Sequence, residues 1–191
     1  MKRRSAGKAA AAVLLVALLA FLAYAAYWGL EWYRGQPKEV ETQPGGMEIE
    51  EYQLSEDQTD VISRLGYPES FFVMFFEDEA NSSLTQFRFE TWSYYSIPRE
   101  YSFLNGDLVS ENATAIVAGG LAENPYRPEQ FTEYMSLEEV IASTGIEKYL
   151  AVPMDGALVE KGEVFYADRL AFGLVNGELL YVESIALEVE A

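Results

Sequence analysis

The side chains in this chain that could do chemistry are carboxylates. Glu77-Asp78-Glu79 stand in one run and Glu48, Glu50 and Glu51 in another; 31 Asp plus Glu face 13 Lys plus Arg, with no His and no Cys. Such groups have three uses: oxygen ligands for calcium, an acid–base pair for glycoside hydrolysis, or an electrostatic attraction for a basic partner. A calcium loop needs oxygens at alternate positions around a sharp Gly turn, and no Asp-x-Asp-x-Asp-Gly run is present. Solvated acidic loops are the plainer reading. A hydrolytic pair could be drawn from 31 acids in many ways, and no spacing singles one out. The missing His and Cys remove the imidazole base, the thiolate nucleophile, the commonest zinc ligands and any disulfide. Phosphate-binding Gly-Lys-Ser/Thr, G-x-G-x-x-G and G-x-S-x-G patterns are absent, and the only S-x-x-K, Ser5 to Lys8, lies in the basic amino-terminal tail. The sequence therefore reads as a protein that is not an enzyme, with no catalytic residue, no metal ligand and no cofactor.

A second set of candidates lies on one aromatic segment, Phe87-Arg88-Phe89-Glu90-Thr91-Trp92-Ser93-Tyr94-Tyr95. As a strand it places Phe87 and Phe89 on one face and Arg88, Glu90, Trp92 and Tyr94 on the other. With Phe87 and Phe89 as the core side, Trp92 and Tyr94 point outward beside Arg88 and Glu90, a composition enriched at binding hot spots. The competing outcome is a bulge that resets the alternation and buries both rings. Glu77, Asp78 and Glu79 are candidates to draw in a basic partner. Phe71-Phe72-Val73-Met74-Phe75-Phe76 reads as a buried strand, because exposed it would invite edge pairing.

These candidates need elements to hold them. From Ala9 to Leu30 there are 22 uncharged residues, roughly 33 Å as a helix, enough to cross a bilayer core of about 30 Å. Lys2, Arg3, Arg4 and Lys8 precede this stretch with no matching positive excess behind it, which predicts a cytoplasmic amino terminus. Tyr24, Tyr27, Trp28, Trp32 and Tyr33 cluster at its far end as a membrane-interface belt. The expectation is a single-pass plasma (inner) membrane protein whose bilayer contact is residues 9–30 and whose carboxy-terminal part is extracytoplasmic. A cleaved signal peptide is the alternative, since Ala23-Tyr24-Ala25 fits a small-x-small cleavage site. From residue 31 onward nine Lys plus Arg face 31 acids, a formal −22, which repels phosphates and argues against a nucleic-acid partner.

Beyond a tether at 31–46, rich in Pro and Gly, one pattern occurs twice. Ser55-x-x-Gln58 and Ser136-x-x-Glu139 are capping boxes, each followed by Val-Ile and closed by Gly66 or Gly145. Downstream come Asn105-Gly106 and Asn176-Gly177, each between apolar runs, the signal of a type I′ hairpin. The reading is an α+β protein: a cytoplasmic tail 1–8, a transmembrane helix 9–30, the tether 31–46, a helix-then-antiparallel-strand repeat at 47–110, a connector 111–134 and a second repeat at 135–191. Each repeat is a short helix with three or so strands.

The segments Asp60-Val61-Ile62-Ser63-Arg64-Leu65-Gly66-Tyr67-Pro68, Trp92-Ser93-Tyr94 and Phe103-Leu104-Asn105-Gly106-Asp107-Leu108 resemble the SmpA/OmlA (BamE-like) family. The tandem arrangement is similar to the duplicated fold of β-lactamase inhibitor protein. The resemblance covers about 54–110, and 135–187 more loosely; the family's lipid-bearing Cys is missing, and none of its functional residues can be matched here. It implies a curved antiparallel sheet used as a protein-binding surface. The expected function is a membrane-anchored extracytoplasmic protein-binding module, a scaffold or assembly factor with an envelope protein as partner. The alternative is an acidic inhibitor or immunity-type protein that neutralises a basic exported enzyme, with a carboxylate-dependent glycoside hydrolase behind both.

Overall fold

Two Ser-to-Gly segments fix where the helices begin and end. In the computed structural model, which describes residues 38–42, 49–78, 85–115, 120–154 and 162–187, Ser55 and Gln58 satisfy each other's backbone N–H groups and start α1, Glu56–Leu65. Ser136 and Glu139 do the same for α2, Leu137–Thr144. Gly66 (φ 80°) and Gly145 (φ 70°) end them in the left-handed half of backbone space, which costs a residue without Cβ little. Helices of 10 and 8 residues do not persist alone and depend on the face they bury.

That face belongs to one sheet. Strands β1 (Lys38–Glu41), β2 (Ser70–Asp78), β3 (Thr85–Tyr94), β4 (Arg99–Leu104), β5 (Asp107–Ala113), β6 (Lys148–Met154), β7 (Gly162–Ala167), β8 (Leu170–Val175) and β9 (Glu178–Ser184) pair antiparallel in the order β1-β6-β7-β8-β9-β2-β3-β4-β5. Each helix precedes a four-strand meander, β2 to β5 or β6 to β9. The β4–β5 and β8–β9 hairpins close through Asn105-Gly106 (φ 52°, 89°) and Asn176-Gly177 (φ 55°, 89°), the pair of positive φ values a type I′ turn demands.

The expectation of an α+β protein with a transmembrane helix and two packed helix-and-strand repeats is corrected here. The described residues form a nine-stranded antiparallel sheet carrying only two short helices. The cause is at the seam, where Phe72↔Glu183, Val73↔Val182 and Met74↔Tyr181 pair β2 with β9. Each meander alone would leave a central apolar strand with unpaired backbone groups, and joining edge to edge satisfies both. The expectations of a span over 9–30 and of an interface belt at Tyr24, Tyr27, Trp28, Trp32 and Tyr33 lie outside the described residues. Among the described residues no helix is long and apolar enough to cross a membrane. In place of the expected transmembrane helix and signal anchor, the described residues present a largely β-sheet protein.

The core occupies one side of the sheet. Val61 of α1, Val140 of α2 and Phe131 and Met135 between them meet Phe71, Val73, Trp92, Phe103, Phe165, Phe172 and Val182 in one buried cluster. Ring pairs knit it together: Trp92 with Phe103 at 4.6 Å and Phe165 with Phe172 at 5.0 Å between centroids, spacings at which aromatic pairs add to simple burial. Two buried arginines strap the connector onto this layer. Arg88 donates to the carbonyls of Phe131 and Pro128, and Arg169 to those of Glu123 and Ala122.

Candidate protein-binding surface

Strand β3 alternates without a break, and its register with β2 runs unshifted from Ser70↔Ser93 to Asp78↔Thr85. The face expected outside is the inside one: Trp92 is 0% and Tyr94 2% exposed, and Arg88 and Glu90 are buried with them. No bulge in β3 is involved. The outward assignment of these four residues is therefore corrected, and they present nothing to a partner.

Burial of the charged pair is made tolerable by complete pairing. Glu90 Oε1 accepts from Arg88 Nε and Gln58 Nε2, both at 2.6 Å, and Oε2 accepts from Trp92 Nε1 at 2.9 Å. Arg88 also donates through Nη1 and Nη2 to the two connector carbonyls, and its guanidinium lies 3.9 Å from the Tyr52 ring centroid. Charge-assisted hydrogen bonds on every side are the condition under which a buried ion pair persists. This cluster joins α1, β3 and the connector, and it is structural. Tyr94 donates to the Gly66 carbonyl at 2.9 Å, and burial pushes its phenol well above the usual tyrosine range.

The opposite side of the sheet is different. Residues facing one another on antiparallel neighbours share a face, so the pairings lay out two adjacent rows. One runs Leu150, Tyr166, Ala171, Glu183, Phe72, Thr91, Ser102; the other runs Val152, Val164, Gly173, Tyr181, Met74, Phe89, Leu104. None of these fourteen belongs to the core cluster, to which the helices and connector contribute. Tyr166 is 49% exposed, and Phe76, two residues along β2 from Met74, is 39% exposed. Phe76 stacks on Phe87 at 5.2 Å and Phe72 on Tyr181 at 6.2 Å. The run Phe71 to Phe76, expected to be buried throughout, is thus core on its odd positions only.

Where this face meets the turn end of the sheet lies a groove of about 350 Å³. Phe75, Phe76, Val175, Leu179 and Leu180 form its apolar floor, and Glu77, Glu133, Tyr134 and Glu178 stand around it. Tyr134 sits in the left-handed region at φ 62° and donates to Glu77 Oε1 at 2.8 Å, a bond that raises the pKa of its phenol. Of the acidic run, Glu77 is thus brought into a site. Asp78 ends β2, and Glu79 lies outside the described residues. Glu50 and Glu51 are exposed, and Glu48 lies outside the described residues.

A cavity of about 710 Å³ at the opposite end is lined by Tyr67, Glu69, Ser96, Arg127 and the connector backbone. Its polar groups serve the fold: Glu69 Oε2 accepts from the Ser96 N–H, Asn124 Nδ2 donates to Ser184, and the Tyr67 hydroxyl donates to Glu129 Oε1. Among the described residues no group of three or more carboxylates is placed to hold a metal ion. The open-face residues Tyr166, Tyr181 and Phe72, and the groove residues Glu133, Tyr134 and Glu178, were not legible as a site from sequence. The alternation of Phe72, Met74 and Phe76 within an all-apolar run was the available signal.

No family model, no curated protein and no solved structure matches this chain.

Proposed function

We propose that residues 38–187 work as an extracytoplasmic protein-binding module of the cell envelope, a scaffold or assembly factor, and that the contact is made by the open face of the sheet. One observation carries this: two adjacent seven-residue rows hold Tyr166, Tyr181, Phe72, Met74 and Phe89 on a side to which neither helix nor connector contributes core residues. Half-buried and exposed aromatic and apolar side chains gathered on one face are the composition from which interaction sites are built. The placement outside the cytoplasm rests on the basic residues ahead of the uncharged stretch 9–30, the charge pattern of an export signal. The resemblance to the SmpA/OmlA family supports the same use of a sheet.

Affinity capture from an envelope fraction with the full chain tests it. A defined protein should be recovered, lost on changing Tyr166 to Lys and Tyr181 to Ser, and retained on changing the exposed helix residue Glu138 to Lys. Equal recovery by all three forms would remove the face from the proposal.

The formal −22 from residue 31 onward favours a second reading, neutralisation of a basic exported enzyme. Binding that weakens steeply with added salt would select this reading, whereas the shallow salt dependence of a single charged contact selects the scaffold.

A further inference from the structure

We infer that the groove between the β2 end and the β8–β9 turn is a pocket for one cationic side chain, lysine or arginine, presented by the partner protein. This rests on the protein-binding reading above and names the chemistry that reading leaves open. Carboxylates alone would carry nothing, since acidic loops are common in a chain of this composition. The floor supplies the argument. Phe76, Val175 and Leu180 offer an apolar strip, and Glu77, Glu133 and Glu178 stand around it. Among the described residues no Lys or Arg lines the groove. The ion pairs among the described residues, Arg64–Asp60, Arg88–Glu90, Arg99–Glu111 and Lys148–Glu41, involve none of its three carboxylates.

Lysine and arginine carry an aliphatic stem and a charged head, and they settle where the stem lies on apolar surface while the head stays in a polar rim. The groove has that division. An uncharged aliphatic chain would use only the floor, and an anion would be repelled by three carboxylates. A second copy of this chain is disfavoured by the same repulsion, because both copies carry the acidic excess. The exposed Tyr134 ring at the rim adds an aromatic face of the kind a guanidinium or ammonium seeks.

The probes are N-acetyl-lysine methylamide, N-acetyl-arginine methylamide and their uncharged homologue N-acetyl-norleucine methylamide. Each is titrated into the isotope-labelled full chain in neutral detergent and followed by amide chemical shifts. The two cations should shift the amides of Glu133, Tyr134, Asn176 and Gly177 together, with norleucine about fivefold weaker at the same positions. Glu77→Gln, Glu133→Gln and Glu178→Gln combined should abolish the response; all three residues are exposed, so the fold has no stake in their charge. Equal shifts with norleucine, shifts spread evenly over the acidic surface, or an undiminished response in the triple variant would each overturn the inference. The Tyr166→Lys, Tyr181→Ser variant should respond normally to the cations. Loss of partner capture there with the cation response intact separates the open face from the pocket, whereas an unaltered chain that captures its partner but shows no cation response removes the pocket alone.

Discussion

Gly106 is pressed against Ser55. The Ser55 hydroxyl donates to the Gly106 carbonyl at 2.7 Å, and a Cβ on Gly106 would stand 2.8 Å from that of Ser55. The same hydroxyl accepts from the Gln58 N–H at 3.1 Å, so one oxygen caps α1 and ties it to the β4–β5 turn. Gly177 occupies the matching turn at the same φ of 89°, with nothing within 4 Å of its would-be Cβ. Gly177→Ala should therefore cost only backbone strain, about 1 kcal/mol. Gly106→Ala should cost that plus about 1–3 kcal/mol of displacement. Urea unfolding of both variants decides it, and equal losses would deny the joint.

The Arg88–Glu90 pair should behave as a unit. Arg88→Met leaves a carboxylate with 0% exposure facing only neutral donors, and loss of one member of a buried pair costs about 3–5 kcal/mol. Changing Arg88 to Met and Glu90 to Leu together removes the stranded charge. The double variant should unfold at higher denaturant than Arg88→Met alone, measured by the shift in midpoint at constant slope. Strict additivity of the two single losses would contradict the coupling.

Gly173 marks a close approach on the open face. The Tyr181 ring covers it so tightly that a Cβ would lie 2.3 Å from a ring carbon. Gly173→Ala should push the ring aside and cost about 1–3 kcal/mol. In a Tyr181→Ala background the same substitution should cost far less. Thermal unfolding of the four forms gives the coupling term, and a cycle that closes at zero would show that the ring is free to move.

Alkaline pH should destabilise the fold through its buried phenols. Burial raises the pKa of Tyr52, Tyr94, Tyr126, Tyr149 and Tyr181 above the ordinary value of 10.0. Above that value the unfolded chain releases protons that the folded chain still holds, so stability falls as pH rises. The contribution is whole below about 10 and drains away through the raised folded-state values. Tyr94→Phe should flatten the decline above pH 10 while losing the hydrogen bond to Gly66 at every pH. A decline of unchanged slope would place the effect elsewhere.

What the sequence made legible was local. Ser55 with Gln58, Ser136 with Glu139, the two stop glycines and both Asn-Gly turns carry their geometry within four residues, and all are found where the pattern put them. Two features were not legible. Strand periodicity divides Phe87 to Tyr94 into two faces, yet it cannot say which face meets α1; the choice was made by Gln58, Phe131 and Pro128, partners 30 or more residues away from the groups they bind. Burying Arg88 and Glu90 also contradicts the ordinary rule for charges, and only full hydrogen bonding excuses it. The pairing of β2 with β9 is likewise non-local, joining strands about 100 residues apart. The groove follows from that pairing, since it forms where the ends of β2 and the β8–β9 turn come side by side.

That seam sets a timetable for synthesis. Strand β2 leaves the ribosome long before β9, and at about 5–20 residues per second the intervening hundred or so residues take roughly 5–20 s. Throughout that interval the nascent chain displays Phe71–Phe76 with one backbone edge unfilled and with aromatic side chains on both surfaces. The carboxy-terminal meander thus acts within the same polypeptide as a late-arriving guard for its amino-terminal half. A ribosome that stops before residue 178 releases a chain whose stickiest strand has no second neighbour.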